Sequence, residues 1–219
     1  MERAVGLVHE GGRTVLGIVG APGSGKSTLV DALVAELLAR PSPSETGGEG
    51  PWVVGLPMDG FHLANATLRE LGLVERKGAP DTFDGWGFAA LMARLADPEE
   101  ADHTVYSPTF ERELEEPVAG AVAVPPSARL VVTEGNYLLL DDPPWRAARR
   151  QLAEVWMCDT DEDRRMRQLI ARHEKFGMDP DAAREWAEGP DQANADLVQA
   201  AAHRADLRIG EELLLSCGE

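Results

Sequence analysis

Residues Gly20-Ala21-Pro22-Gly23-Ser24-Gly25-Lys26-Ser27 fit Gly-x-x-x-x-Gly-Lys-[Ser/Thr]. Such a loop wraps phosphate when a strand leads into it and a helix leads out. Both flanks comply. Thr14 to Val19 is an apolar, β-branched run that reads as a buried strand, and Leu29, Val30, Leu33, Val34, Leu37 and Leu38 return at helical spacing. The glycines let the backbone turn its N–H groups inward, so Gly20, Ala21, Gly23, Ser24, Gly25 and Thr28 form the expected cradle for phosphate oxygens. The helix N-terminus adds partial positive charge there. Lys26 can reach the β- and γ-phosphates, and the Ser27 hydroxyl can ligate Mg²⁺. The plainer alternative, a glycine-rich turn that binds nothing, leaves the strand, the Lys-Ser pair and the helix as coincidence.

Strand and helix patterns alternate along the chain, the signature of an α/β fold. Further strands are expected at Trp52–Leu56, Leu130–Thr133, Glu154–Cys158 and Ala205–Ile209, with a short one at 104–106 and a strand or hairpin within 111–126. Helices are expected near Leu68, over Trp86–Leu95, Pro144–Leu152 and Asp161–Lys175, and near 180–188 and 190–203. On the helix from Asp161, the inner side reads as Met166, Leu169 and Ile170. The Pro/Gly/Ser-rich stretch 40–51 reads as a connecting loop, not a domain boundary. The 219 residues suit one domain, 1–219. Strands joined through helices pair in parallel, and ligands of such sheets sit at the strands' carboxyl ends.

Charge narrows the partners. With 38 acidic against 21 basic residues the net charge is −17, which disfavours a nucleic acid polymer. A phosphate ligand then needs a focused local site. No apolar run approaches the length of a membrane span, and Met1 to Gly6 lacks the apolar segment of a secretory signal. Cys158 and Cys217 make neither a metal spacing nor a disulfide framework, so a cytoplasmic location is expected. The five tryptophans read as core or pocket wall.

Asp59 follows the second strand and would face a nucleotide's γ-phosphate, where a carboxylate can take an acceptor's proton; a turn aspartate before Gly60 is the equal alternative. Glu134 ends an apolar strand, where a metal-organising carboxylate or a plain surface acid would stand. Arg164 and Arg167, and Arg165 and Arg172, share helix faces and suit a lid over a triphosphate, or a solvated face paired with Glu162 and Asp163. Arg76 to Asp84 mixes charge, turn residues and an aromatic, as a recognition loop does. His62, His103 and His173 make no metal-ligand pattern.

In order, the phosphate loop, Asp59-Gly60-Phe61-His62, Arg76-Lys77-Gly78-Ala79-Pro80-Asp81-Thr82-Phe83-Asp84, Glu134-Gly135-Asn136, Asp159-Thr160-Asp161 with Arg165 and Arg172, and Ala205-Asp206 resemble the P-loop kinases of small metabolites. That family includes uridine kinase, phosphoribulokinase and type I pantothenate kinase. The resemblance implies a P-loop NTPase three-layer sandwich with a mainly parallel central sheet and a small lid, here about 161–190. It implies ATP and Mg²⁺ as cofactors, Asp59 as base, Lys26, Glu134 and Arg165 as further catalytic groups, and Ser27 and Glu134 at the metal. Arg165 and Arg172 would also contact the nucleotide. The expected acceptor contacts are Asp59, His62, Arg76, Lys77, Tyr106, Arg112 and Asn136. The implied partner is a small-molecule acceptor, nucleoside- or sugar-like, with pantothenate and fructose as alternatives and a homodimer left open. Val105 to Arg112 lacks the histidine of the uridine kinase pattern, so the acceptor stays open. A P-loop ATPase acting as a switch on a protein partner is the reading from another class. The absence of Asn-Lys-x-Asp argues against a GTPase.

Overall fold

A computed structural model describes residues 1–9, 11–43 and 49–210. After a short helix α1 (Glu2–Gly6), strand β1 (Thr14–Val19) runs into the phosphate loop and helix α2 (Lys26–Leu38). Strand β2 (Val53–Pro57) follows, then helices α3 (Asn65–Leu71) and α4 (Gly85–Ala96), strands β3 (Val105–Glu111), β4 (Glu116–Val124) and β5 (Leu130–Gly135), and helix α5 (Pro143–Arg149). Strand β6 (Glu154–Asp159), helices α6 (Glu162–Lys175), α7 (Pro180–Trp186) and α8 (Gln192–Ala201), and strand β7 (Leu207–Gly210) complete the described chain.

The central sheet has five strands in the order β2-β5-β1-β6-β7, all parallel. Every residue of β1 and β5 is buried, as expected for strands covered on both faces. Side chains alternate between two cores. Leu16, Ile18, Val53 and Val132 face α2 through Leu29, Leu33 and Leu37. Val15, Val19, Leu56 and Val131 face Phe88 and Met92 of α4, Trp145 of α5 and Val198 of α8. The result is three layers, helix on sheet on helix.

The structure extends or shifts several sequence expectations. The second strand starts at Val53 and runs through Pro57. The weak signals at 104–106 and 111–126 prove to be one antiparallel hairpin, β3 with β4, separate from the central sheet. A register shift between Ser107 and Thr109 breaks its alternation, which hides it from a period-two reading. On α6 the fully buried residues are Arg165 and Leu169, while Met166 and Ile170 are half-buried. An arginine can occupy that inner position because its donors are satisfied there, as described below. Helices α7 and α8 are joined by one π-helical turn, Ala187–Asp191, with Pro190 inside it. Trp86 is 62% exposed on α4, neither core nor pocket wall. Cys158 is buried in β6; Cys217 lies outside the described residues.

The turn after β2, Met58–Phe61, packs against the hairpin so closely that a Cβ on Gly60 would lie 2.3 Å from the Pro108 carbonyl oxygen. Gly60→Ala is therefore expected to cost about 1–3 kcal/mol through overpacking, read as a lowered midpoint in urea unfolding.

Candidate active site

The phosphate loop is shaped by two left-handed glycines, Gly23 (φ 82) and Gly25 (φ 81). Gly25 is the N-cap of α2, so the first-turn amides of Lys26, Ser27 and Thr28 have no carbonyl one turn earlier to bond. They are available to an anion. Gly23 touches α6: a Cβ there would lie 2.7 Å from the Arg165 carbonyl oxygen and 2.9 Å from Leu169 Cβ. From α6 the buried Arg165 side chain donates to the Pro22 carbonyl at 3.0 Å, to Glu162 Oε2 at 2.8 Å, and to Gln192. Its donors are spent on holding the loop, α6 and α8 together. It lines a small cleft of about 100 Å³ with Ala21, Ser24, Thr160 and Gln192, behind the loop.

The register of β5 against its neighbours sets the rest. Pro57 pairs with Glu134 and Val19 with Gly135, so the loop, the Met58–Phe61 turn and Glu134 meet at one end of the sheet. The Ser27 hydroxyl donates to Glu134 Oε1 at 2.9 Å. Glu134 is 6% exposed, and its Oε2 is buried without a hydrogen-bond partner. Burial pushes its carboxyl above the usual range, against the pull of Lys26 and of the Ser27 hydrogen bond. A hydroxyl and an unpartnered carboxylate oxygen side by side are hard oxygen donors that fit Mg²⁺. Among the described residues no group of three or more His, Cys, Asp or Glu side chains could hold a metal, so phosphate or water oxygens would complete such a shell.

In front of Lys26 opens a cavity of about 510 Å³ that includes Asp59, His62, Lys77, Arg112, Asn136 and Arg172 in its walls. Burial alone would raise the Asp59 pKa, but His62, Lys26, Arg112 and Arg172 outweigh it and hold the carboxyl below its ordinary value. Asp59 is thus a carboxylate at neutral pH, with Arg112 Nη2 at 3.5 Å from its Oδ2. The His62 ring lies between Phe83 and Phe110, and its Nδ1 is 2.8 Å from the Asp59 carbonyl oxygen. A carbonyl only accepts, so Nδ1 carries the proton. Burial depresses the His62 pKa, with the Asp59 carboxylate opposing. Burial also lowers that of Arg172, with Arg112 adding repulsion. Asn136 Oδ1 is buried and unpartnered, while the neighbouring Tyr137 phenol donates to the Gly78 carbonyl.

Not every expected contact reaches this cavity as a free group. Lys77 lies in its wall, but its ammonium donates to Asn65 Oδ1 at 2.9 Å and the Glu115 carbonyl at 2.8 Å. It ties the hairpin turn to α3. Arg76 lies outside the cavity, paired with Asp81 at 2.9 Å, and Tyr106 is 61% exposed on β3. The outward face of β3 and the turn before Lys77 decide this, and neither is visible in motif order. Conversely, the cavity gains residues that spacing did not single out. His173 Nε2 and Asp191 Oδ2 meet at 2.7 Å, and Phe110, Phe176 and Trp186 form apolar wall. His173 and Asp191 join α6 to the π-helical turn, a contact that only the packing of α6 on that turn creates.

Fold and site together define a P-loop nucleotide-binding α/β protein. A family model described as methylmalonyl Co-A mutase-associated GTPase MeaB matches residues 4–43, the segment from α1 through the loop to α2. A provisionally named fructose transport system kinase from Silicibacter sp. TM1040 shares 39% identity, covers 90% of each chain and superposes with a TM-score of 0.78. The ATP-dependent kinase-like protein notR' of Aspergillus versicolor is 37% identical over 131 residues, 58% of this chain and 76% of that protein. A provisionally named uridine kinase, C227.14 of Schizosaccharomyces pombe, is 36% identical over 153 residues, 67% of this chain; the match spans 60% of that relative's length. The chain belongs to the family of P-loop small-metabolite kinases that takes in uridine kinase and pantothenate kinase. No helix among the described residues is long and apolar enough to cross a membrane.

Because Arg165 holds the Pro22 carbonyl from below, Arg165→Met is expected to destabilise the chain by about 1.5–3 kcal/mol, the range for losing hydrogen bonds to a charged group. Urea unfolding of the variant against the parent checks it.

Proposed function

We propose that this chain is an ATP-dependent kinase that transfers the γ-phosphoryl group to a hydroxyl of a small metabolite. The observation that carries the reading is the convergence of Lys26, the Ser27–Glu134 pair and an ionised Asp59 at the carboxyl ends of adjacent strands, with Lys26 and Asp59 in the wall of one cavity. The α2 first-turn amides and Lys26 bind the β- and γ-phosphates. Mg²⁺ held by Ser27 and Glu134 would supply charge neutralisation on those phosphates. Asp59 accepts the proton of the acceptor hydroxyl as its oxygen forms a bond to the γ-phosphorus. The bond from that phosphorus to the β-bridging oxygen breaks, and ADP leaves. Lys26 and Arg172 stabilise the charge that develops on the transferred group. Residues 161–190, carrying α6 and α7, act as the lid of a single domain, 1–219, and Arg165 serves it by positioning the loop.

The acceptor carries a nucleoside- or sugar-like hydroxylated skeleton, with one like pantothenate as the alternative, in keeping with relatives named for uridine, fructose and pantothenate. A switch ATPase would turn over ATP without a metabolite. A kinase consumes it faster with its acceptor and yields a phosphorylated product. Asp59→Asn is expected to lower turnover by about 10²–10⁴-fold, the share of general base catalysis, while ATP affinity holds. Lys26→Ala is expected to lose transition-state stabilisation of similar order, about 10²–10³-fold. Mass spectrometry of a metabolite mixture with MgATP, together with coupled ADP release, reads both. Unchanged turnover in Asp59→Asn removes that residue from the mechanism.

A further inference from the structure

Arg112 is the cavity cation that neither the packing nor the phosphate reading accounts for. Lys77 spends its charge on the hairpin turn, pairing also with Glu115 at 3.4 Å. Lys26 and Arg172 face the phosphates on the reading above. The acid Asp191 is engaged by His173. Arg112 has one hydrogen-bond partner among the described residues, Asp59, at a long 3.5 Å. A guanidinium carries five N–H donors, so most of its capacity is uncommitted. Yet the side chain has neighbours that orient it. It lies over Phe110 at 5.8 Å and Phe176 at 5.7 Å, between the hairpin and the end of α6.

The backbone beneath it is equally constrained. Arg112 sits in the β3–β4 turn, where Glu115 has φ 54, the one non-glycine residue with positive φ among those described. The turn persists because its surroundings over-determine it. Glu116 accepts from the Asn65 amide at 3.1 and 3.0 Å, Asn65 Nδ2 donates to the Glu115 carbonyl at 2.9 Å, and Lys77 bonds the same carbonyl. A fixed, half-exposed fork with free donors suits a planar or tetrahedral anion. Its one contact engages a single Asp59 oxygen at long range, so an anion that takes the fork frees both carboxylate oxygens for a hydroxyl.

Building on the kinase reading, we propose that the acceptor is a hydroxylated anion, its carboxylate or phosphate received by Arg112, which thereby releases Asp59 to take the hydroxyl proton. A neutral acceptor leaves the Arg112–Asp59 pair in place and is discriminated against. The unpartnered Asn136 Oδ1 accepts a hydrogen bond from a further hydroxyl of the same molecule.

The test is calorimetric titration of the protein loaded with Mg²⁺ and a non-hydrolysable ATP analogue. The probes are matched pairs: gluconate and glucose, pantothenate and pantothenol, ribose 5-phosphate and ribose, uridine monophosphate and uridine. The expected result is at least one acid that binds about tenfold or more tighter than its neutral counterpart. The carboxylate and phosphate arms show which anion is taken. Arg112→Gln is expected to abolish that preference with the analogue still bound, and Arg112→Lys, which keeps the charge without the fork, to recover part of it. Equal binding of acid and neutral partner, a preference that survives Arg112→Gln, or no acid bound by the analogue-loaded protein overturns the proposal. Failure of the analogue itself to bind overturns the kinase reading and this inference with it.

Discussion

A parallel ladder joins β1 to β5 from Thr14 opposite Leu130 to Val19 opposite Gly135. That register places the phosphate loop, at the end of β1, beside Glu134, so that Ser27 at the start of α2 can donate to the carboxylate. It also aligns β2, whose Pro57 pairs with the same Glu134, and so brings the Asp59 turn to the cavity mouth. A one-residue slip would send Glu134 to the other face of the sheet. The ladder resists such a slip because both strands are buried throughout, and a slip would exchange the two cores that cover them.

Around this frame the chain separates two kinds of cation. Arg165 is buried and committed to the loop's Pro22 carbonyl, Glu162 and Gln192, and so acts as structure. Lys77 is likewise committed to Asn65 and the Glu115 carbonyl. Lys26, Arg112 and Arg172 instead face open volume. In a chain of net charge −17 these local cations provide the focused positive potential that a phosphate ligand requires. The same potential keeps Asp59 ionised despite its burial.

Much of this was legible in the residues themselves. The phosphate loop is local: its conformation follows from glycines at set positions between a strand and a helix, and those neighbours lie within about 20 positions of sequence. Asp59 and Glu134 were legible as strand-end carboxylates, since in a parallel sheet strand ends converge. The limits are equally physical. Arg76 and Tyr106 carry suitable chemistry, yet one is turned to Asp81 and the other to the outer face of β3. The His173–Asp191 pair depends on a π-helical turn whose Pro190 would ordinarily predict a break. The hairpin was legible only as a short strand at 104–106 and a strand or hairpin within 111–126, because its register shift disrupts the alternation that marks a strand.

Sequence alone determined the fold class and the phosphate cradle and marked the two carboxylates as candidates, because each depends on neighbours in the chain or on the general rule that parallel strands end together. Tertiary structure alone decided which arginine supports the loop and which reaches the cavity. That choice depends on side chains from distant segments competing for the same donors: Pro22 and Gln192 claim Arg165, while Phe110, Phe176 and Asp59 frame Arg112.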